Sequence, residues 1–454
     1  MQDLTTGSLT RHLLKTTSFM LVSMVFQTLY VLVDLYWVGR LGTEAVAAVA
    51  ISGNLMFVVL AATQMLGVGT TTLVSHATGR RDRERALLVF NQSLLLSLVV
   101  GALFLAVAMG LRDTFARSLS ADAATRDLAN DYLLWFIPAL AMQFGLVAMG
   151  AALRGTGNFK PGMVVQTATV IINIVLAPVL IFGWGTGRPL GVAGAAVATF
   201  IAILIGIVWM AAYFVGPSAY LRFVRADMRP RLVLWAEMLK IGLPAGAEFA
   251  LMSISLAVVY VVSRPFGAAA QAGFGIGMRL IQAFFLPVVA LGFAVAPVAG
   301  QNVGARKPAR VRQTFTVAAA MASGAMLMVA IGARFAAPAA MRIFSADPDA
   351  LAVGVEYLGI MAWSFVPSGI VFVSSSMFQA MGNTIPSLIT SFTRVILVTI
   401  PVLLLARQPG FELRWVWYVS VTAAFLQLLM NLALLRREFR LRLALEPSAV
   451  GSGL

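Results

Sequence analysis

The 454 residues include no cysteine and only two histidines, His12 and His76. Without thiols the chain can form neither disulfide bridges nor thiolate metal sites, and two histidines are too few for a histidine-based metal centre. Neither a glycine-rich phosphate-binding loop nor an HExxH pattern occurs, so direct use of ATP is not expected. We therefore expect no cofactor, no bound structural metal and no enzymatic activity.

Charged residues are also scarce. They make up 11% of the chain, and 60% of its residues are hydrophobic, whereas soluble domains carry about 25% charged residues. Long apolar runs recur, each near the roughly 20 residues that cross a bilayer as a helix. Isolated strands would leave backbone groups unpaired in lipid, so the prediction is an all-α integral membrane fold. Its twelve transmembrane helices are placed at about 13–38, 45–77, 87–110, 126–152, 163–183, 191–215, 233–263, 270–300, 313–335, 351–379, 386–406 and 414–435,.

Basic residues outnumber acidic ones by 33 to 18, which gives a net charge of +15. Most of them fall at the N-terminus, in the loops after the even-numbered runs and in the C-terminal tail. This bias follows the positive-inside rule and predicts that both termini are cytoplasmic, in a bacterial-type inner membrane. We expect the cluster from Arg80 to Arg85 to contact the anionic headgroups of the lipid bilayer, and not nucleic acid.

The sequence contains an internal repeat. When Leu14-Lys15 is aligned with Leu239-Lys240, further landmarks coincide without a gap: Gly42 with Gly267, Tyr132-Leu133 with Tyr357-Leu358, and Gly157-Asn158-x-x-Pro161 with Gly382-Asn383-x-x-Pro386. Each copy holds six runs, an even number, so both copies enter the membrane from the same side, as in a parallel repeat with a pseudo-two-fold axis along the membrane normal. We predict two six-helix lobes, 1–216 and 233–454, joined by a basic linker at 217–232. This duplication favours a transporter that works by alternating access.

Asp34 is the only acidic residue of the first run. A carboxylate inside a bilayer is costly, so an ionisable group at this depth indicates an ion or proton site. Alternatively, Asp34 lies near a helix end and reaches headgroup water, because Arg40 follows soon after. Gln27 and Tyr30 share its helix face at spacings of i, i+3 and i+7. Asp34 aligns with Val259 in the repeat, so the carboxylate belongs to one half only.

The second half carries three charged residues inside or beside its apolar runs: Glu248, Arg279 and Arg394. We expect an ionisable network, in which Glu248 is either a second proton site or the counterion of one arginine, since unpaired charges in a membrane are costly. A further set of polar residues consists of candidates for lining a substrate cleft, namely Gln27, Gln143, Gln166 and Gln282.

Four segments resemble signatures of the multidrug and toxic compound extrusion (MATE) transporters: Tyr30-Val-Leu-Val-Asp34-Leu-Tyr-Trp-Val-Gly-Arg-Leu-Gly42, Arg154-Gly-Thr-Gly-Asn-Phe-Lys-Pro161, Asn173-Ile-Val-Leu-Ala-Pro178 and Gly191-Val-Ala-Gly-Ala-Ala-Val-Ala-Thr199. The resemblance covers nearly the whole chain. It implies a secondary antiporter, expected as a monomer, that exports organic and often cationic compounds in exchange for protons or sodium ions. It also implies a DinF-like cation site formed by Asp34, Tyr30, Asn173 and Thr199.

The sequence departs from the family pattern at three points. Ala177 occupies the position of a helix-5 aspartate, which removes a charged ligand and favours protons over sodium ions as the coupling ion. Lys15-Thr-Thr-Ser-Phe19 lacks the early proline that bends the first helix in many relatives, whereas Pro244 stands at the equivalent place in the second half. The run at 351–379 has only Glu356, near its outer end, so a NorM-like site in the C-terminal lobe is not expected.

Two other functions are compatible with such a fold. A lipid-linked saccharide flippase of the same superfamily would carry more cationic residues in its cleft and often has extra helices. A non-transporting membrane receptor or scaffold would tolerate replacement of Asp34 without loss of activity.

Overall fold

A computed structural model describes residues 1–185, 187–217 and 219–443 of the chain. This part contains fourteen α-helices, three short 3-10 helices and no strand. Eleven helical stretches in it are long and apolar enough to cross a membrane. One of them, Leu232–Gly304, has 73 residues and consists of two successive helices, so it supplies two passes,. The predicted all-α membrane fold with twelve spanning segments is therefore confirmed, while the C-terminal tail beyond Leu443 lies outside the described residues.

The chain divides into two compact units, of which the first comprises Met1–Asp3 and Ser18–Gly242. Within it α5 packs against α2, α3 and α7, and α6 packs against α7. An apolar core joins these helices because each presents a face of small and aliphatic residues to its neighbours,. The helices are α1 (Leu9–Gly39, in this unit from Ser18), α2 (Thr43–Gly79), α3 (Arg83–Gly110), the short α4 (Arg112–Leu119), α5 (Ala123–Gly155), α6 (Phe159–Phe182) and α7 (Val192–Val215).

The second unit comprises Leu4–Thr17 and Leu243–Leu454. Within it α9 packs against α10, α11 and α12, and α13 packs against α14. A 3-10 helix at Ala362–Ser364 joins α11 to α12, and together they form one membrane span, Pro348–Ala380. The helices are α8 (Leu232–Ser263, in this unit from Leu243), α9 (Gly267–Gly304), α10 (Pro308–Arg342), α11 (Pro348–Met361), α12 (Phe365–Ala380), α13 (Ile385–Leu405) and α14 (Arg414–Arg442).

The two halves share unusual backbone conformations at equivalent positions. Arg81 and Arg306 both adopt a positive φ, 59° and 54°, which is uncommon for a residue with a side chain,. Gly157 and Gly382 adopt φ values of 76° and 71° in the turns that follow α5 and α12. The predicted repeat is therefore present in the backbone as well as in the sequence.

Two buried amides of α3 hold the linker at 217–232 to the first unit. Asn91 donates from Nδ2 to the carbonyl of Arg222 at 3.0 Å and accepts from the amide of Val224 at 3.0 Å. Gln92 donates from Nε2 to the carbonyls of Asp227 and Arg229, both at 2.6 Å, and accepts from the amide of Arg231 at 2.9 Å. The linker backbone is therefore fixed along α3 by side chains that are fully buried.

Candidate functional site

The site in the first unit begins with a close approach of α6 and α7. A Cβ atom added to Gly194 would lie 2.7 Å from the backbone of Leu180, and one added to Gly206 would lie 2.5 Å from Cγ2 of Thr169. Glycine is required at both positions because any side chain would push the helices apart. Thr199 lies between these two glycines on α7, so its hydroxyl faces α6 at very short range.

The hydroxyl of Thr199 joins three helices. It accepts a hydrogen bond from Nδ2 of Asn173 on α6 at 3.0 Å and contacts the hydroxyl of Tyr30 on α1 at 3.1 Å. Its own proton goes to the carbonyl of Ala195, at 3.1 Å. A threonine hydroxyl has one proton and two lone pairs, so Tyr30 is the donor in the second contact. The structure therefore brings three of the four predicted site residues into one hydrogen-bonded group.

Asp34 lies one turn beyond Tyr30 on the same face of α1. Only 6% of the apolar window of α1 is buried, yet the side chain of Asp34 is just 8% exposed. It interacts electrostatically with Tyr30. Its side chain is turned inward, whereas the apolar neighbours Leu32 and Leu35 are exposed.

Two buried oxygen atoms in this group have no hydrogen-bond partner: Oδ1 of Asp34 and Oδ1 of Asn173. Buried polar atoms are nearly always paired, and an unpaired one costs about 1–3 kcal/mol. Both are acceptors, so the group that would satisfy them is a cation or a proton donor.

Tyr132 on α5 is a member of the site that the sequence analysis did not select. It is 2% exposed and interacts electrostatically with both Asp34 and Tyr30. The signal for it was present, since Tyr132-Leu133 recurs at Tyr357-Leu358 in the repeat. A tyrosine in an apolar helix is usually a packing residue, and only the helix arrangement shows that it borders a carboxyl group.

Ala177 lies one helical turn beyond Asn173 on α6 and is completely buried. A methyl group therefore occupies the position at which the family pattern places a second aspartate. Across residues 1–185, 187–217 and 219–443, no three His, Asp or Glu side chains cluster as metal ligands would. The site offers one carboxylate, one amide oxygen and the three hydroxyl groups of Tyr30, Tyr132 and Thr199.

The structure does not join Glu248, Arg279 and Arg394 by ion pairs, which corrects the expected network. The carboxyl group of Glu248 lies near the hydroxyl of Ser387 on α13, and Arg394 lies two helical turns further along that helix. Arg394 instead bonds to Gln427 on α14, and Arg279 is exposed on α9. Among the described residues, no salt bridge within 4.0 Å includes any of the three.

The four glutamines selected as cleft candidates are all at least partly exposed within membrane helices. Gln27 and Gln282 are exposed, and Gln143 and Gln166 are intermediate. Their contact with a substrate stays a prediction.

The family model MatE matches residues 20–179 and again 244–405, so the two halves of the chain match the same family model. The chain is 25% identical over 378 residues to a protein of Shewanella oneidensis named FAD transporter, covering 82% of each chain. It is 27% identical over 413 residues to the probable multidrug resistance protein YoeA of Bacillus subtilis, covering 89% of each.

A solved structure agrees over nearly the full length. It is described as the outward-facing conformation of a multidrug resistance MATE family transporter of the MOP superfamily. The TM-score is 0.89 at 25% identity, over 97% of this chain and 98% of that one. The resemblance seen in the sequence motifs therefore extends to the entire fold, and the chain belongs to the MatE family of membrane transporters, which are not enzymes.

Proposed function

We propose that this protein is a secondary antiporter that exports organic compounds in exchange for protons, with Asp34 as the coupling residue. The observation that carries the proposal is the pair of unpartnered buried oxygens on Asp34 and Asn173, beside the hydrogen bonds that join Tyr30, Thr199 and Asn173. Relatives named as multidrug resistance and FAD transporters support export of an organic compound over a flippase or scaffold role.

The mechanism follows from the cost of burying charge. An ionised carboxylate inside a membrane segment is costly, and a proton removes that cost. Protonated Asp34 is therefore compatible with an occluded, dry state, whereas the ionised form favours a state in which water reaches the site. Alternation between these states links proton movement to the direction in which the cargo site opens.

Protons are favoured over sodium ions because the site holds a single carboxylate. Sodium prefers several hard oxygen ligands, and Ala177 replaces the charged one that the family pattern supplies. Tyr30 interacts electrostatically with Asp34 and is joined to Asn173 through the hydroxyl of Thr199. This donor set supports the DinF-like assignment, with the cation site in the first half.

The test uses purified protein in liposomes. A pH gradient in sodium-free buffer and a sodium gradient at equal pH are imposed separately, and the movement of a cationic probe, ethidium, and of an anionic probe, dansylglycine, is followed by fluorescence. We expect the pH gradient to drive transport by the wild type and Asp34→Asn to reduce this flux to the level of empty liposomes. Asp131→Asn is the matched control, because Asp131 is an exposed aspartate in a membrane helix of the same unit and should transport normally.

Equal flux through the wild type and Asp34→Asn under the pH gradient would refute the assignment of Asp34. Flux driven by the sodium gradient alone, and lost in Asp34→Asn, would keep the site but change the coupling ion.

The remaining assignments belong to the same proposal. The distribution of basic residues supports an inner-membrane location with both termini cytoplasmic,. We propose that the transporter acts as a monomer, since one chain contains both halves of the repeat.

A further inference from the structure

Helix α13 presents one face to lipid and another to the interior of the second unit. Its exposed large side chains include Ile389, Phe392, Ile396 and Ile400, which form an apolar stripe of the kind that faces lipid,. Arg394 lies between Phe392 and Ile396 in sequence and so on the opposite side of the helix, since two residues correspond to about 200° of rotation. Its guanidinium group is therefore directed into the unit, away from the lipid.

Arg394 has one hydrogen-bond partner among the described residues. Its Nη1 donates to Oε1 of Gln427 at 3.2 Å, and Nε2 of Gln427 reaches the hydroxyl of Ser391 at 3.5 Å. Tyr357, which is 6% exposed, interacts with Arg394 electrostatically. A guanidinium has five donors, so most of its hydrogen-bonding capacity is unused by neighbouring side chains.

A second polar group lies one turn beyond Gln427 on the inner face of α14. Asn431 is completely buried, and neither its Nδ2 nor its Oδ1 has a hydrogen-bond partner. Fully unpaired buried amides are rare in folded proteins. Two adjacent positions on one face of α14 therefore carry amides, one fixing Arg394 and the other free to bind.

The first unit shows that packing does not require these polar side chains. By the repeat, Arg394 aligns with Thr169, Gln427 with Ala202 and Asn431 with Gly206. There, a Cβ at Gly206 would meet Thr169 at 2.5 Å, so the two helices make a dry and direct contact. The second unit has replaced this contact by an arginine and two amides at the same place in the repeat.

The side chains of Arg394, Gln427 and Asn431 have the chemistry that binds an anion. An arginine presents donors in a planar fork that matches carboxylate and phosphate oxygens, and no acidic side chain of the described residues neutralises it within ion-pair distance,. Arginines inside membrane proteins that face the interior mark substrate pathways. We infer that Arg394, Gln427 and Asn431 form an anion-binding site in the second unit, and that the cargo of the exporter proposed above carries a carboxylate or phosphate group.

The test measures binding without any gradient, on protein in nanodiscs of phosphatidylcholine. Three probes share one fluorophore: dansylglycine is anionic, dansylglycinamide is neutral and dansylcadaverine is cationic. We expect the wild type to bind dansylglycine most tightly and Arg394→Gln to weaken it by at least about tenfold, as loss of a charge-assisted hydrogen bond implies. Arg394→Lys should weaken the binding of dansylglycine less. In both variants the affinities for the other two probes should stay within about twofold of the wild type.

Arg279→Gln is the matched control, because Arg279 is an exposed arginine in a membrane helix of the same unit, and it should leave dansylglycine affinity unchanged. If Arg394 only ties α13 to α14, Arg394→Gln will lower the affinity for all three probes alike, or the wild type will not distinguish dansylglycine from its amide. Either result overturns the inference. Should Arg394→Gln not fold, the comparison of Arg394→Lys with Arg279→Gln gives the same decision.

A lipid headgroup could supply the same anionic chemistry. Repeating the measurement in phosphatidylglycerol nanodiscs separates the two sources, because a headgroup site would lose its affinity for dansylglycine there. Such a loss would overturn the assignment of the anion to the cargo, and unchanged affinity supports it. Only the identification of the anion as the exported cargo rests on the proposed transport function. Anion binding that survives while Asp34→Asn transports like the wild type would refute the assignment of Asp34 and leave the anion site standing.

Discussion

Thr199→Val tests the hydrogen-bonded group that positions the proposed coupling site. Valine has nearly the shape of threonine, so no cavity forms and only the hydroxyl is lost. Nδ2 of Asn173 and the hydroxyl of Tyr30 then have no acceptor, whereas the carbonyl of Ala195 keeps its helical hydrogen bond. We expect loss of stability and loss of transport together.

The magnitude follows from the burial of the two donors. A buried donor without a partner costs about 1–3 kcal/mol. Asn173 is 3% exposed and takes the upper part of this range, while Tyr30 is half-buried and takes the lower part. The sum is a destabilisation of about 3–5 kcal/mol, which is large for a change of one hydroxyl to one methyl group.

The assay is unfolding in mixed micelles with increasing dodecyl sulfate, followed by tryptophan fluorescence, with proton-driven flux measured on the same preparations. Thr199→Ser keeps the hydroxyl and should stay close to the wild type. Thr28→Val is the matched control, since Thr28 is exposed on α1 and bonds only to Met24 of its own helix, so a change below about 0.5 kcal/mol is expected,. The reasoning fails if Thr199→Val unfolds together with Thr28→Val and transports at the wild-type rate.

Three further predictions concern other parts of the first unit. Gly194→Ala should lower stability by about 1–3 kcal/mol and reduce proton-driven flux, because its Cβ would meet Leu180 and separate α6 from α7,; Gly162→Ala on α6 has open space around it, and a similar loss there would contradict this explanation. Gln92→Leu should speed cleavage of the linker by trypsin in timed digests, because three hydrogen bonds to the linker backbone are removed; an unchanged digestion rate would show that Gln92 does not restrain it. Ala177→Asp should add flux driven by a sodium gradient, since it supplies a second carboxylate one turn from Asn173. If the folded variant shows no sodium-driven flux, the lack of this carboxylate does not explain a preference for protons.

The identity of the site residues could be predicted further than their contacts. Asp34 stands out in sequence because one carboxylate in an apolar run is costly, and the MATE-like motifs add Tyr30, Asn173 and Thr199. That three of these share one hydroxyl depends on the packing of α1, α6 and α7. Tyr132 escaped selection for the same reason, because its position on α5 shows no chemistry until Asp34 is placed beside it.

The partners of the charged residues in the second half could not be predicted from the sequence. Glu248 and Arg394 carry opposite charges in the same half, and the cost of unpaired charge suggested that they meet. Among the described residues no salt bridge includes either of them, and the partner of Arg394 is the neutral Gln427. Sequence alone cannot choose between a carboxylate and an amide as partner, because that choice depends on how far apart two helices place their side chains.

The sequence by itself determined the membrane class, the number of passes and the duplication, because hydrophobic run length and a recurring set of landmarks are properties of the chain alone,. Tertiary structure decided which polar groups are satisfied and which are not. The unpartnered oxygens of Asp34 and Asn173, and the free amide of Asn431, exist only because helix packing excludes water and supplies no partner at those places. Both proposals therefore depend on hydrogen-bond satisfaction, which is a property of packed helices and not of residue order.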